Sequence, residues 1–317
     1  MQVNISIKRH NPSAPDNSTY WEDFDLTMND TASVLDALIK IREDVDGSLS
    51  VRCSCRSAIC GSCAMRVNGH AKLACNTKLS DVIDADGRVT VEPAGVMPVI
   101  KDLVVDQTLF WDKVKQISPW LQPDGPEPEG EYMAPNSAMI DLAGVMNCIM
   151  CGACVSDCTV LEIDKDFIGP AALAKAYRFV NDPRDDQTQS RLIELNEITG
   201  IWDCTRCFEC VEVCPKGVAP MERIMSLRES AMEQGLDKTV GARHADAFTD
   251  SVAHSGWLNE LLLPLKTFGM FNLGAMMGLA PIGLRALLRG KMPSIFHRSV
   301  PNVHRIRRLV KKIEENE

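Results

Sequence analysis

Residues 53–75 read CSCRSAICGSCAMRVNGHAKLAC and hold five of the thirteen cysteines in the chain. Three of them follow the spacing Cys-x4-Cys-x2-Cys, and a fourth comes after eleven more residues: Cys55, Cys60, Cys63 and Cys75. This is the plant-type spacing for a [2Fe–2S] cluster, in which one loop supplies three thiolates and a neighbouring strand supplies the fourth. Small residues such as Ser57, Ala58 and Gly61 let backbone N–H groups approach the sulfides. The stretch therefore predicts a [2Fe–2S] site.

A zinc site is the alternative for this group of cysteines. Zinc favours two separated Cys-x2-Cys pairs, and this stretch contains only one such pair. Cys53 fits neither pattern, because it would leave a six-residue gap before Cys60. We interpret Cys53 as a bystander thiol packed near the cluster, with a spare or redox-labile ligand as the alternative.

Two further cysteine groups read CIMCGACVSDC at residues 148–158 and CTRCFECVEVCP at residues 204–215. Each has the bacterial spacing Cys-x2-Cys-x2-Cys-x3-Cys, in which the fourth cysteine binds the other cluster of a pair. The first [4Fe–4S] cluster is then predicted on Cys148, Cys151, Cys154 and Cys214. The second is predicted on Cys158, Cys204, Cys207 and Cys210. A zinc site is disfavoured, because three cysteines at successive short spacings exceed what a tetrahedral zinc site takes from one stretch. Disulfides are disfavoured as well, because a cytoplasmic chain keeps its thiols reduced.

Hydrophobic periodicity predicts an α+β chain. Alternation of apolar and polar residues indicates strands at residues 3–7, 24–28 and 89–91, with one helix from Val34 between them, capped by Thr31 or Ser33. After residue 98 helical patterns dominate, at residues 103–117, 170–180 and 220–234. We therefore predict three parts: residues 1–97, 98–250 and 251–317.

Charge separates the last part from the rest. Residues 1–260 hold 24 Lys+Arg against 40 Asp+Glu, whereas residues 261–312 hold ten Lys+Arg and no acid. The net charge of −9 argues against a nucleic-acid partner. Residues 267–284 carry no charge but are interrupted by glycines and Pro281, and they fall short of the roughly 20 apolar residues of a spanning helix. An interfacial segment on anionic lipid and a partner-binding arm both fit this tail.

The chemistry available to these residues is electron transfer. The sequence has no catalytic triad, phosphate-binding glycine loop or nucleotide fingerprint, so we predict no catalytic residues in this chain. It opens directly on a strand pattern without a secretory leader, which predicts a cytoplasmic location. Three clusters on one chain indicate a relay whose organic chemistry takes place on another subunit.

At these residues the chain resembles the iron–sulfur subunit of succinate dehydrogenases and fumarate reductases. The resemblance covers about residues 1–240 and rests on CRSAICGSC at 55–63, KDLVVD at 101–106, GPAA at 169–172 and CPKG at 214–217. It implies a plant-type ferredoxin-like (β-grasp) domain over residues 1–97, then an all-helical bacterial-ferredoxin-like domain over residues 98–250 and a C-terminal extension.

The same resemblance implies partners and a location. The first domain would dock on a flavoprotein that oxidises succinate or reduces fumarate at covalently held FAD. The helical domain would pass electrons towards quinone through membrane-associated partners. The chain would then lie peripherally on the cytoplasmic face of the cell membrane, as part of a complex.

Two features depart from many family members. A cysteine stands at Cys207, where many members lack one and carry a [3Fe–4S] cluster, so the third cluster is predicted to be [4Fe–4S]. Residues 159–163 read TVLEI, without the aromatic residues that help to line a quinone pocket, so no quinone site is predicted here. Both departures resemble variant complexes in which a cysteine-rich subunit, similar to one of heterodisulfide reductases, replaces haem-bearing anchors.

Two other functions remain open from the sequence. One is a free-standing ferredoxin-like carrier, which would need neither this length nor a basic tail. The other is the iron–sulfur subunit of a heterodisulfide-type reductase, which only the identity of the neighbouring subunits would distinguish.

Overall fold

A computed structural model of the chain describes residues 1–13, 18–197, 199–269, 272–294 and 298–315. It divides into two compact units, Met1–Ser230 and Ala231–Glu317. The domain boundary predicted at residue 98 lies inside the first unit. The boundary predicted at residue 251 lies inside a helix of the second unit, Val240–Ser255.

The first unit begins with a five-stranded mixed sheet in the order β2-β1-β5-β3-β4. Strand β1 runs parallel to β5, and the other neighbours are antiparallel. Val3, Ile5 and Ile7 alternate along β1 and are almost fully buried, which confirms the period-two prediction. The strand bounds are β1 Gln2–His10, β2 Thr19–Thr27, β3 Ala64–Val67, β4 His70–Leu73, β5 Arg88–Glu92, β6 Val99–Lys101 and β7 Val104–Val105.

The predicted helix between β2 and β3 is confirmed, and Ser33 is its cap. The Ser33 hydroxyl accepts from the Asp36 N–H at 3.2 Å, and the Asp36 carboxylate accepts from the Ser33 N–H at 2.9 Å. This reciprocal capping box satisfies two otherwise unpaired donors. The helix α1, Val34–Lys40, continues in one π-helical turn, Ile41–Val45, and buries its apolar face in the core of the sheet.

The rest of the first unit is mainly helical, as predicted. Short helices alternate with the cysteine motifs, and longer ones pack around them. The bounds are α2 Leu79–Val82, α3 Thr108–Gln116, α4 Asn136–Met146, α5 Ala153–Ser156, α6 Thr159–Ile163, α7 Pro170–Val180, α8 Thr188–Leu195, α9 Glu209–Glu212 and α10 Pro220–Glu233.

The helix predicted over residues 103–117 is wrong at its start. Val104 and Val105 form β7 and pair with β6, because Asp102 turns the chain with a φ of +48°. The helix begins only at Thr108, whose N–H donates to the Asp106 carboxylate at 2.9 Å. The apolar side chains Leu103 and Val105 are buried in both readings, so periodicity alone did not separate strand from helix.

A β-hairpin that the periodicity analysis missed follows the first cysteine loop. Strands β3 and β4 pair through a two-residue turn at Asn68 and Gly69, whose φ angles are +51° and +82°. Asn-Gly is the residue pair that such turns favour, so the signal was present in the sequence. The hairpin separates Cys63, just before β3, from Cys75, just after β4.

The second unit contains the helices α11 Val240–Ser255, α12 Leu262–Phe268, α13 Leu273–Leu288 and α14 Val303–Glu314. Helix α11 packs against α12 and α14. Arg243 of α11 donates to the Thr267 carbonyl at 2.8 Å, and Arg307 of α14 donates to the His254 carbonyl. None of the helices among the described residues combines the length and the apolar character that a membrane crossing requires.

Candidate iron–sulfur sites

The first cysteine loop directs backbone N–H groups at its sulfur atoms. The Cys55 Sγ accepts from the N–H groups of Ser57, Ile59 and Cys60 at 3.2–3.4 Å. Arg56, Ala58 and Gly61 have positive φ angles, which fold the loop tightly enough for these contacts. Such N–H donors stabilise the added negative charge of a reduced cluster.

The fourth cysteine of this group reaches the same loop from the hairpin. Cys75 lies in the 3₁₀ turn Ala74–Asn76 after β4, and its Sγ accepts from the Ala58 N–H at 3.4 Å. All four predicted ligands of the first site are therefore brought to one loop. The fourth thiol comes from the turn after β4 and not from within a strand.

The loop thiols differ in how easily they deprotonate. Hydrogen bonds from Ser62 and from backbone N–H groups lower the pKa of Cys60 to about 6, whereas burial raises the pKa of Cys63 to about 12. Cys60 is exposed and Cys63 is buried. Because cluster ligands are thiolates, assembly on this loop must release the Cys63 proton.

The four thiols predicted for the first [4Fe–4S] cluster line one pocket. It encloses about 410 Å³ of space between atoms, its mouth included, and its other walls are largely apolar. Desolvation by these walls and the nearby Cys148 and Cys214 thiols raise the pKa of Cys151. Sequence spacing predicted that Cys214 shares a cluster with three cysteines 60 to 66 positions earlier in the chain. The pocket brings these residues together: Cys148, Cys151, Cys154 and Cys214.

The middle and later motifs repeat one backbone conformation. Met150 and Gly152 flank the second cysteine of the middle motif with positive φ angles, and Arg206 and Phe208 do the same in the later motif. In both motifs the third cysteine lies in a one-turn helix, α5 or α9. The equal spacing therefore encodes equal local structure.

The thiols predicted for the third cluster also lie near one another. Burial comes first among the causes that raise the pKa of Cys210 to about 12, and the neighbouring thiols add to it. Those neighbours are Cys204, Cys158 and Cys207, which complete the predicted set. Cys207 is exposed and accepts from the Thr159 hydroxyl at 3.5 Å.

A buried arginine that sequence reasoning missed supports this third site. Arg228 of α10 donates to the Cys204 and Ile201 carbonyls, each at 2.8 Å, and its guanidinium lies 5.0 Å from the Trp202 ring centre. Burial lowers the pKa of Arg228 to about 10. Arg228 therefore holds the segment leading into the later motif and places a positive charge near the Cys204 thiol.

The three sites adjoin one another in order. Burial is the main cause that raises the pKa of Cys154, and nearby thiols, Cys210 among them, add to it. Cys154 and Cys210 belong to different predicted cubane sites, so these two sites are neighbours. Ala71 of β4, Ala153 of α5 and Val213 after α9 form a small buried cluster beside Cys151. This apolar contact joins the hairpin of the first site to both later motifs.

A second connection between the first two sites is ionic. Asp157, in the middle motif, accepts from Arg66 Nε of β3 and from the Ala71 N–H, both at 2.7 Å. The neighbouring Ser156 hydroxyl accepts from the Gly95 N–H at 2.8 Å. Asp157 is buried, so breaking this pair would leave a charge without compensation. No spacing rule pointed to Asp157 and its partners Arg66 and Ala71, which lie 91 and 86 positions away.

Gly61 of the first loop lies directly against the middle motif. A Cβ added to Gly61 would lie 2.8 Å from both Cα and Cβ of Cys151, and the φ of Gly61 is +72°. Only glycine therefore lets the loop lie directly against this predicted cubane ligand.

Gly61→Ala should destabilise the first unit by about 2–4 kcal/mol, from about 1–2 for the left-handed backbone and the remainder for overpacking against Cys151. Gly69→Ala is the matched control, because Gly69 has a φ of +82° but nothing within 4 Å of an added Cβ. Gly69→Ala should lower the stability only by the backbone contribution of about 1–2 kcal/mol. Urea unfolding followed by circular dichroism measures both, and equal losses would contradict the close contact.

Cys53 does not join any of the three sets. Its side chain is half-buried and packs against the core of the sheet, as Cys75 and Cys151 also do, so its role as a bystander thiol stays a prediction. Among the residues that the structure describes, no three His, Cys, Asp or Glu side chains are close enough together to hold a single metal ion. In a cubane each thiolate binds a different iron, so its ligands need not meet at one point.

Comparison with family models matches both cysteine-bearing regions. A model described as a 2Fe-2S iron-sulfur cluster binding domain matches residues 4–112, and a 4Fe-4S dicluster domain model matches residues 144–218. These matches agree with a mixed-sheet region followed by a helical one.

Relatives of the chain are named as iron–sulfur subunits of succinate dehydrogenases and fumarate reductases. This chain is 36% identical over 266 residues to the 8-methylmenaquinol:fumarate reductase iron-sulfur subunit of Wolinella succinogenes, covering 82% of each chain. It is 37% identical over 233 residues to the mitochondrial succinate dehydrogenase [ubiquinone] iron-sulfur subunit 1 of Oryza sativa subsp. japonica, covering 72% of this chain and 82% of that one. A chain of the Mycobacterium smegmatis Sdh1 complex in the apo form aligns with a TM-score of 0.67 at 26% identity, over 75% of this chain and 98% of that one.

Proposed function

The chain belongs to the family of succinate dehydrogenase and fumarate reductase iron–sulfur subunits, the electron-transfer subunits of these oxidoreductases, and we propose that its residues 1–230 carry a relay of three clusters. The proposed [2Fe–2S] ligands are Cys55, Cys60, Cys63 and Cys75. The proposed ligands of the first [4Fe–4S] cluster are Cys148, Cys151, Cys154 and Cys214, and those of the last cluster are Cys158, Cys204, Cys207 and Cys210. When bound, such clusters supply one-electron transfer.

The observation that carries this proposal is the single pocket lined by Cys148, Cys151, Cys154 and Cys214. It supports the exchange of the fourth cysteine between motifs, which a disulfide or a local zinc site would not require. The contact of Gly61 with Cys151 and the proximity of Cys154 to Cys210 support the order of the relay. The first site then stands at one end and the third at the other.

The two ends of the relay differ in what they expose. Ile59 and Cys60 of the first loop are exposed, and this face would dock on the flavoprotein that holds FAD. Cys207 and Phe208 are exposed at the third site, and that face would meet the membrane-side subunit, an anchor or a cysteine-rich chain. Electrons would then pass between succinate or fumarate and quinone, with this chain peripheral to the cytoplasmic face of the membrane.

We propose three domains for this chain. A plant-type ferredoxin-like domain occupies residues 1–97, a dicluster domain residues 98–250, and an extension residues 251–317. Of the three functions considered from the sequence, the subunit of a succinate or fumarate enzyme is the one shared by the named relatives. The chain spans most of their length.

Cys207 tests the nature of the third cluster. The anaerobically purified chain, separated from subunits that hold haem or further clusters, should contain about ten iron ions and ten sulfides, the sum of one [2Fe–2S] and two [4Fe–4S] clusters. Cys207→Ala should replace one [4Fe–4S] paramagnetic resonance signal by that of [3Fe–4S] and lower the iron content by one. The control, Cys53→Ala, should change neither. A strong [3Fe–4S] signal in the unmodified complex, as isolated without air, would show that Cys207 is not a ligand.

A further inference from the structure

Helix α13 exposes apolar side chains that no described residue of its own unit covers. Met277, Ile282, Leu284, Leu287 and Leu288 are 57–77% exposed, and all but Ile282 fall on one side of the helix at about 3.6 residues per turn. Soluble proteins seldom leave a continuous patch of such side chains in water unless it binds something. Neither family model reaches this part of the chain, since the second ends at residue 218.

The length of α13 limits how it can meet a membrane. Its sixteen residues measure about 24 Å, shorter than the hydrocarbon core of about 30 Å. Pro281 inside the helix removes one backbone hydrogen bond, and Gly274, Gly278 and Gly283 reduce its bulk. The helix suits a position along the boundary between lipid headgroups and acyl chains rather than across the bilayer.

Positive charge surrounds this apolar helix. Arg285 lies in its last turn, and Arg289 and Lys291 follow directly, all of them exposed. Helix α14 adds the exposed cations Arg305 and Arg308. Its apolar residues Val303, Ile306 and Val310 are half-buried instead. Residues 261–312 contain no acid to neutralise these cations, although Lys266 pairs with Asp250 of α11 and Lys311 with Glu315.

The remainder of the chain has the opposite charge. Residues 1–260 carry a net charge of −16, from 24 Lys+Arg and 40 Asp+Glu. An anionic surface would repel that part and attract the tail, so charge alone selects the region that makes contact. Apolar side chains flanked by cations are the composition of interfacial membrane segments.

We infer that α13 and the cations of residues 285–312 form a lipid-binding surface that inserts α13 into the headgroup region of an anionic bilayer. This deepens, and rests on, the membrane location proposed above, because it lets this chain contact lipid itself rather than only through an anchor subunit. The occupant is lipid rather than a protein groove, since residues 261–312 carry ten Lys+Arg and no acid, a charge that complements anionic headgroups.

The test is flotation of the full-length, cluster-containing chain with protein-free vesicles. Vesicles of phosphatidylcholine with phosphatidylglycerol should bind at least about tenfold more chain than phosphatidylcholine alone. Raising the salt from about 0.1 M to about 1 M should weaken that binding, because it shortens the screening length from about 10 Å to about 3 Å. Cluster absorption of the same samples tests the relay separately, so loss of one property does not imply loss of the other.

A pair of matched double variants isolates the helix. Leu284→Glu with Leu288→Glu should lower binding to anionic vesicles at least about tenfold. Val240→Glu with Phe248→Glu introduces the same charge at two exposed apolar positions of α11 and should leave binding nearly unchanged. Equal binding by both double variants would overturn the inference. So would binding to native membranes without binding to protein-free anionic vesicles, which would assign α13 to a partner protein.

Discussion

Replacing Cys210 with alanine is expected to lower quinone-linked succinate oxidation by the complex at least about 100-fold, since even changes around metal ligands cost about 10–100-fold. Cys210 is buried at the junction of the two proposed cubane sites, close to Cys154 as well as to the other three thiols of its own set. Without it, the third cluster loses the ligand that faces the preceding one. Electrons would reach the first [4Fe–4S] cluster and stop there.

The readout separates a broken relay from a collapsed protein. Succinate oxidation coupled to an artificial dye that accepts electrons at the flavin should be retained, and the [2Fe–2S] resonance signal should persist. Cys53→Ala removes a half-buried thiol outside the three sets and should leave quinone-linked activity close to that of the unmodified complex. Unchanged quinone-linked activity in Cys210→Ala would remove the third site from the relay.

Replacing Asp102 with alanine is expected to destabilise the first unit by about 3 kcal/mol, the low end of the penalty for removing one partner of a buried ion pair, because Arg9 keeps its pairs with Glu22 and Asp46. Arg9 and Asp102 are almost fully buried, and the Arg9 Nε donates to the Asp102 carboxylate at 2.9 Å. Asp102 also accepts from the Ser50 N–H at 2.8 Å. Ser50 leads into the first cysteine loop, so the same carboxylate joins the core of the sheet to the cluster site.

The network around Arg9 contains its own control. Glu22 pairs with the same guanidinium but its side chain is 40% exposed, so Glu22→Ala should cost no more than about 1 kcal/mol. Asp46 completes the network, and hydrogen bonds from Ser48 and Arg9 lower its pKa to about 2. The apparent free energy of unfolding in urea, followed by far-ultraviolet circular dichroism, compares the variants. A loss for Asp102→Ala as small as that for Glu22→Ala would contradict the buried-pair argument.

Local patterns in the sequence predicted much of the fold. The alternation of Val3, Ile5 and Ile7 gave β1, Ser33 is one of the two helix caps that were expected, and Pro170 begins α7 as the Pro-first rule predicts. Each of these features depends on residues within a few positions of one another. The missed hairpin belongs to this class as well, because Asn68-Gly69 is a local signal.

The start of α3 shows where such reasoning fails. Residues 103–105 have an apolar pattern that suits a buried helix or a buried strand equally, and pairing with β6 decided for the strand. That pairing requires the turn at Asp102, which in turn depends on Arg9 of β1, ninety-three positions away. A window of neighbouring residues contains no information about a partner so distant.

The amino-acid sequence alone determined that the chain has a [2Fe–2S] and a [4Fe–4S] binding region, because cysteine spacing limits which thiols one tight loop can present to iron. It also determined the asymmetry of charge between the body of the chain and its tail. Only the tertiary structure decided how the sites are joined: Gly61 against Cys151, and Arg66 with Asp157 across ninety-one positions. Contacts of this kind depend on the path of the whole chain through space, where a residue's neighbours are set by packing rather than by order.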